Sequence, residues 1–330
     1  MSLDKAIDIV ITWCDGNDPV FASRKKKRMR EMGLKWDENN LGDMRYFDNE
    51  ELRYSLRSIH KYLPWINHIF LVTDKQRPSW LVDNPKLTII DHKEIIPSAY
   101  LPTFNSVAIE SFIHHIPALA EKFLLFNDDF FINRPLSPSF FFDGDLPIVR
   151  LIKDKERWQF KSLEEAVDTL NTAEISSFRK TLINAWYLFS SKNSLIPFYV
   201  LAHTVDAYTR ETFERVQQKY PELLARNVSP FRTDENIQRV LYQLEMIYFG
   251  GCRLEEVKPL TFIQKHMPMF SSKRVDSFEG TESPKTWKRI RSLKPGMFCL
   301  NAAIKNEPSV KAQSSKLLKE LFPERSPYEN

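Results

Sequence analysis

Four short apolar runs, each heading into an aspartate, constrain this chain more than any other feature. They are Ile7–Thr12 (IDIVIT) ahead of Asp15, Ile69–Thr73 (IFLVT) ahead of Asp74, Leu87–Ile90 ahead of Asp91, and Phe123–Phe126 ahead of Asn127-Asp128-Asp129. Runs this short, rich in β-branched and aromatic residues and without polar alternation, predict strands buried on both faces. Between them Leu52, Leu56, Ile59 and Leu63 recur at helical spacing, and a second helix is predicted over 107–115. Strands alternating with helices predict an α/β chain with a mostly parallel, Rossmann-like sheet. Open sheets of this kind bind ligands in the crevice beyond the carboxyl ends of their strands, the end these aspartates occupy.

The texture changes past Asp145. One more strand is predicted over 147–152, and then helical periodicity over 162–171, 176–189, 210–219 and 234–248. The expected organisation is an α/β core over 1–152, a mostly helical subdomain covering the crevice over 153–296, and a return segment with a basic amphipathic tail over 297–330. Only 8 Gly against 20 Pro leaves no Gly-rich phosphate loop, so Walker A and GxGxxG nucleotide sites are excluded. Cys14, Cys252 and Cys299 are too few and too scattered for a disulfide framework or a zinc site. No apolar stretch reaches membrane-spanning length and the N-terminal one is too short for a signal peptide, so a cytoplasmic setting is expected. The run Arg24–Arg30 (RKKKRMR) is basic at all but one position. It has no interleaved aromatics for stacking bases, which argues against nucleic acid and leaves a solvated face or an anionic membrane surface.

Several residue groups can carry chemistry. Adjacent Asp128 and Asp129 beside Asn127 suit Mg²⁺ or Mn²⁺, hard cations that take oxygen ligands and share them with phosphates; a polar strand cap is the competing account. The loop Trp13-Cys14-Asp15-Gly16-Asn17-Asp18 offers two carboxylates, a tight turn and an indole face. Asp48 with Glu51 reads as a capping box opening a helix, on which Asn49, Arg53 and Arg57 share one face. The guanidinium fork suits phosphate, although two Arg on a helix face are more often simply solvated. His203 and Arg232 lie in polar breaks before predicted helices, where a structural role competes with a catalytic one.

Taken together, these segments resemble the Stealth family of sugar-1-phosphate transferases, which includes bacterial capsule and exopolysaccharide phosphotransferases and the animal lysosomal-enzyme GlcNAc-1-phosphotransferase. The first family-like block is IDIVITWCDGNDP. The second and longest begins with RYFDNEELRYSLRSIHKYLPWI at Arg45 and continues through IFLVTD, RPSWL, DHKEI and LPTFNSVAIE to FLLFNDDFF. A third covers His203 and SPFRTDEN around Arg232, and a fourth is MFCLN, ending at Asn301. Two departures stand out: Cys14 replaces a small aliphatic residue, and Ala302-Ala303 follow Asn301 where the family commonly continues with Asp.

The resemblance implies a GT-A-like fold and transfer of a hexose-1-phosphate, HexNAc-1-phosphate in the first instance, from a UDP-sugar to a glycan hydroxyl. UMP would leave and a phosphodiester would form. It implies Glu110, Asp128, His203 and Arg232 as catalytic positions and Asp128 with Asp129 as the metal pair. Trp13, Asp15, Gly16, Asp18, Arg45, Asn49, Arg53, Asn105, Ser106 and Asn301 are then the expected substrate contacts. His203 or Glu110 would take the acceptor proton or protonate the leaving UMP. The acceptor could be lipid-anchored, which would bring the chain to the inner membrane face. Two alternatives remain open: a glycosyltransferase releasing UDP, and a non-catalytic subunit that binds a nucleotide sugar or glycan.

Overall fold

The computed structural model describes residues 6–35, 42, 46, 48–152, 160–172, 175–197, 200–257, 277–301 and 308–330. In order, its first strands are β1 (Ile7–Thr12), β2 (Ile69–Thr73), β3 (Leu87–Asp91), β4 (Lys122–Asn127), β5 (Phe130–Ile132), β6 (Phe142–Asp143) and β7 (Leu146–Ile152). Then come β8 (Val200–Leu201), β9 (Asp206–Thr209), β10 (Arg253–Val257), β11 (Ser277–Thr281) and β12 (Met297–Asn301).

The predicted strands form one parallel sheet, in the order β3-β2-β1-β4. Successive side chains of β1 and β4 enter opposite cores: Val10, Phe123 and Leu125 on one side, Ile9, Ile11, Leu124 and Phe126 on the other. All seven are shielded from solvent, which is why the sequence shows unbroken apolar runs. Each such side chain contributes about 2 kcal/mol by leaving water. The register pairs Thr12 with Asn127 and Thr73 with Asp91, so the aspartates gather along one edge of the sheet.

The 153–296 stretch is less helical than its periodicity predicts. Helices Leu163–Asn171, Ser177–Lys192, Arg210–Lys219 and Val240–Tyr248 are present, but β9 joins the central sheet antiparallel to β4, and β10 runs parallel to β7. The last helix starts at Val240 rather than near Asp234. A third sheet, in the order β11-β12-β5, rests on helices Pro284–Leu293 and Pro308–Leu321 through Phe131, Phe298, Trp287 and Leu317. The Asp128-Asp129 turn is thus the two-residue link between β4 in one sheet and β5 in another.

The basic run is not an unbroken charged surface. It lies in helix Pro19–Glu31, capped by Asp18, whose carboxylate accepts from the Val20 N–H at 2.8 Å. Arg24 pairs with Asp74 at 2.9 Å, and Lys25 is buried with its ammonium 3.9 Å from the centre of the Tyr46 ring. Lys26 and Lys27 are exposed.

Helix Glu51–Tyr62 departs from expectation at both ends. Its cap residue is Glu50, in the left-handed region at φ 66°, not Asp48, and no side chain caps it. Arg53 and Arg57 do not point a free pair of guanidiniums at the crevice. Both grip Glu329, Arg53 Nε at 2.7 Å and Arg57 Nη2 at 2.7 Å, and the Glu329 side chain has 0% exposure. Burial works against the Glu329 charge, but the Arg57 hydrogen bonds, the Ser326 N–H and Arg53 outweigh it and bring its pKa from 4.5 to about 2. A carboxylate held low in the folded state adds stability that is present above 4.5 and lost as pH falls through about 2. Glu329→Gln is expected to cost about 3 kcal/mol near pH 7, since it takes the anionic partner from both Arg53 and half-buried Arg57, and the difference should shrink between pH 4.5 and 2. Urea titrations of both proteins across that range measure it, and a pH-independent difference would show that the charge is irrelevant.

Candidate active site

The Asp128-Asp129 turn is held by three hydrogen bonds from two elements. Ser55 Oγ donates to Phe130 O at 2.7 Å, and Ser58 Oγ accepts from Ile132 N at 3.0 Å, so the Glu51–Tyr62 helix fastens β5 immediately after the turn. Leu300 N on β12 donates to Asp129 O at 3.2 Å. Beyond the turn opens a cavity of about 420 Å³ whose wall includes Trp13, Cys14, Tyr46, Glu51, Asp128 and Asp129. Gly16 shapes that wall at one remove. Its N–H donates to Tyr46 O at 2.5 Å, and a Cβ there would stand 2.6 Å from the same oxygen, so only glycine lets Tyr46 pack in place.

This cavity is electrostatically incomplete. Burial, then the charges of Asp129, Glu51 and Asp48, push the Asp128 carboxyl far above the usual carboxylate range. Burial likewise raises Asp129 to about 7, even though the Cys299 thiol donates to its Oδ2 at 3.4 Å. Asp48 is pushed to about 7 by burial and by Glu51 and Asp15, and Glu51 is raised by burial. Asp129 Oδ1 and Asp48 Oδ1 are buried without hydrogen-bond partners. Clustered, repelling carboxylates with unmatched oxygens fit a divalent cation. Among the described residues no three His, Cys, Asp or Glu side chains form a ready cage. The fit is therefore to an ion held by one or two carboxylates and completed by its ligand, the habit of Mg²⁺.

A second cavity of about 510 Å³ adjoins the first. Glu110, Asn127 and Arg232 line both. Arg232 reaches this position because Ser106 Oγ, on the first residue of helix Ser106–Phe112, accepts from its Nε at 3.1 Å and also from its Nη2. His203 lines the second cavity, its ring edge-on to Phe130 with centroids 5.2 Å apart. Burial, aided by the Arg239 charge, lowers its pKa to about 4. Before a ligand arrives, burial thus favours the uncharged imidazole, a form that keeps one N–H and one lone pair for hydrogen bonding. The aromatic wall of this cavity includes Phe178 and Trp186.

The structure gives several expected contacts other duties. Asp18 caps the Pro19–Glu31 helix, and Asp15 accepts from the Asn17 N–H at 2.8 Å; neither lines either of these two cavities. Asn105 is fully buried: its amide donates to Asn227 O and Ser229 O at 3.1 Å while its Oδ1 caps Val107 N. Asn49 binds Glu51 through its side-chain nitrogen at 2.9 Å and steadies that acid from behind. Arg53 is taken by Glu329. Asn301 closes β12 one residue after Leu300, which lines the first cavity; its side chain, Arg45, Ala302 and Ala303 lie outside the described residues. Sequence reasoning gave Asp48 and Glu51 to a helix cap and passed over Cys299, Asp206 and Arg239. Asp206 and Arg239 lie outside every block quoted above, and burial with their ion pair is what marks them.

A parallel sheet with a carboxylate cluster, an arginine and an uncharged histidine around paired cavities at its strand ends defines an α/β enzyme. Comparison with known proteins narrows the class. The profile of conserved region 2 of Stealth proteins matches residues 45–148. A capsular polysaccharide phosphotransferase of Actinobacillus pleuropneumoniae, cps1A, is 33% identical over 76% of this chain and 68% of its own length. The exopolysaccharide phosphotransferase SCO6023 of Streptomyces coelicolor is 38% identical over 74% of this chain but only 40% of its own. Among solved structures the galactosyltransferase LgtC, in complex with donor and acceptor sugar analogs, covers 97% of the chain and 96% of its own at 9% identity and a TM-score of 0.44. The chain belongs to the Stealth family.

Proposed function

We propose that this chain transfers a sugar phosphate to a glycan hydroxyl in capsule or exopolysaccharide synthesis, taking a hexose-1-phosphate from a UDP-sugar. The observation that carries this reading is the pair of cavities sharing Glu110, Asn127 and Arg232, because group transfer needs two ligands meeting at one wall. The names of the relatives, phosphotransferases of capsular and exopolysaccharides, support it.

In this reading the nucleotide sugar fills the cavity of Trp13 and the carboxylates, and the glycan fills that of His203. Asp128 and Asp129 would hold Mg²⁺ or Mn²⁺, which when bound would offset the phosphate charges. Arg232, on the shared wall, faces the transferred phosphate and stabilises its oxygens. The acceptor hydroxyl attacks the phosphorus next to the sugar; the new O–P bond forms as the bond to the bridging oxygen of UMP breaks. The hydroxyl proton passes to Glu110, whose Oε2 is buried without a partner. Uncharged His203 keeps an N–H to donate to the acceptor or the phosphate, and Phe178 and Trp186 offer faces on which sugar rings stack. The exposed Lys26 and Lys27 of the basic run would each contribute about 1 kcal/mol to contact with an anionic membrane; Gln at both positions should weaken vesicle binding, and equal partitioning would remove these two from that contact.

Incubation with a panel of UDP-sugars, an acceptor glycan and Mg²⁺ tests the reaction through the nucleotide released. UMP is expected; UDP would assign an ordinary glycosyltransferase, and binding without turnover a non-catalytic subunit. The pH profile carries a second expectation. With His203 near 4, activity should show no limb from this residue at 6.5, and His203→Gln should lower kcat without shifting the limbs between pH 6 and 8. A limb near 6.5 that vanishes in His203→Gln would show that the imidazole titrates in the working range.

A further inference from the structure

Arg239 has no part in the chemistry above, yet its guanidinium is buried among the groups that perform it. Nη1 meets Glu110 Oε1 at 3.0 Å and Nε meets Asp206 Oδ2 at 3.0 Å. Gln243 Nε2 donates to the other Asp206 oxygen at 2.9 Å. The three charged side chains are 8–11% exposed, and all four residues line the larger cavity. Replacing such a buried ionic group by well-packed apolar residues is often neutral or favourable, so stability alone does not explain it. Its result is an asymmetry at Glu110: Oε1 is tied down, whereas buried Oε2 has no partner. Leaving a buried acceptor unmatched is unfavourable. That cost is recovered when a ligand hydroxyl fills the gap, and Glu110 is on the wall common to both cavities.

We propose that Arg239 is a positioning residue: it clamps Glu110 by one oxygen so that the other alone faces the acceptor hydroxyl, with Asp206 and Gln243 bracing the clamp from behind. The proposal rests on the transfer reaction above and adds a residue to it. The clamp has a second consequence. The charged groups lining the cavity around His203 are Glu110 on its helix, Asp206 on β9, Glu279 on β11, and Arg232 and Arg239. Of these, Arg239 joins burial in disfavouring imidazolium. One guanidinium thus aims the proton acceptor and adds to the burial that disfavours charge on its neighbour.

Arg239→Lys and Arg239→Gln test this in the full chain. Lys keeps the charge but lacks the fork needed to bridge two carboxylates. Both variants should lose about 100-fold in kcat, the scale of a misaligned catalytic group, while the KM for the UDP-sugar stays within about threefold, because the donor cavity is not lined by Arg239. In Arg239→Gln the His203 imidazole, followed by NMR against a His203→Gln control, should titrate higher than in the wild type while burial still holds it below 6.5. If either variant fails to fold, Asp206→Asn probes the same clamp from behind, with an expected loss of about tenfold in kcat at unchanged KM. A wild-type kcat in the folded variants, a loss confined to KM, or an unmoved His203 midpoint overturns the clamp. The titration needs no turnover, so absence of UMP release from the wild type would sink the transfer reading while this arm still judges the clamp.

Discussion

Replacing Asp128 with Asn is expected to lower kcat/KM by about 1000-fold while making the protein slightly more stable, by about 1 kcal/mol. The two halves of this result share one cause. Asp128 is crowded by Asp129, Glu51 and Asp48 in a buried site, and burial with those three charges already drives its carboxyl toward the neutral form. An amide of the same shape removes the ionisable group that this crowding penalises and leaves the turn otherwise unchanged, since β5 stays fastened by Ser55 and Ser58. The folded state gains what catalysis loses, because the crowded charge has a purpose only when a cation and a diphosphate occupy the cavity. Chelation of the wild type should mimic the activity loss, and added Mg²⁺ or Mn²⁺ should restore the wild type but not the variant. Steady-state kinetics with thermal melts of both proteins make the measurement. Turnover within tenfold of wild type in Asp128→Asn, with or without chelator, would remove Asp128 from the chemistry.

Arg232→Ala should cost about 3 kcal/mol of transition-state stabilisation, roughly 100-fold in kcat/KM. Arg232 is the only cation shared by the two cavities among the described residues, so it faces whatever crosses from one to the other. Ser106 Oγ accepts from two of its nitrogens, which fixes the plane of the guanidinium before any ligand arrives. Preorganisation of that kind is where such a group acquires its catalytic value, and it yields two graded expectations. Arg232→Lys should recover only part of the loss, because an ammonium has no plane to fix. Ser106→Ala should cost about tenfold with the charge still present. A folded Arg232→Ala protein with kcat/KM within threefold of wild type would demote the residue to a cavity wall.

The parallel sheet was legible because burial on both faces leaves unbroken apolar runs, and these cannot be disguised. The site was legible only where polar residues interrupt such periodicity. Asp128, Glu110, His203 and Arg232 announce themselves that way, but so do Asp18 and Asn105, which the fold spends on capping helices. A carboxylate or amide before a helix satisfies orphan N–H groups as readily as it meets a ligand, and nothing local tells the two apart. The Arg53 and Arg57 face was misread for another reason: its partner, Glu329, lies 276 residues from Arg53, and a long-range ion pair leaves no periodic trace. Asp206 and Arg239 were invisible because their meeting depends on β9 pairing antiparallel to β4, a choice of neighbour that spacing does not encode. The strands within the mostly helical 153–296 stretch left no trace similarly, since β9 and β10 are short and completed only by distant partners.

The Asp128-Asp129 turn belongs to neither sheet but spans from β4 to β5. It follows that the two acids inherit the mechanical integrity of both bodies at once. The parallel sheet is protected by large cores on each face, whereas β5 shares one of those cores only through Phe130 and Ile132 and turns Phe131 into the smaller cluster of Phe298 and Trp287. Heat will therefore silence this protein before it melts it: loosening of the smaller sheet lets the carboxylates drift while most of the fold still reads as native. The margin between inactivation and unfolding is set by Phe131, Phe298 and Trp287, none of which touches the site.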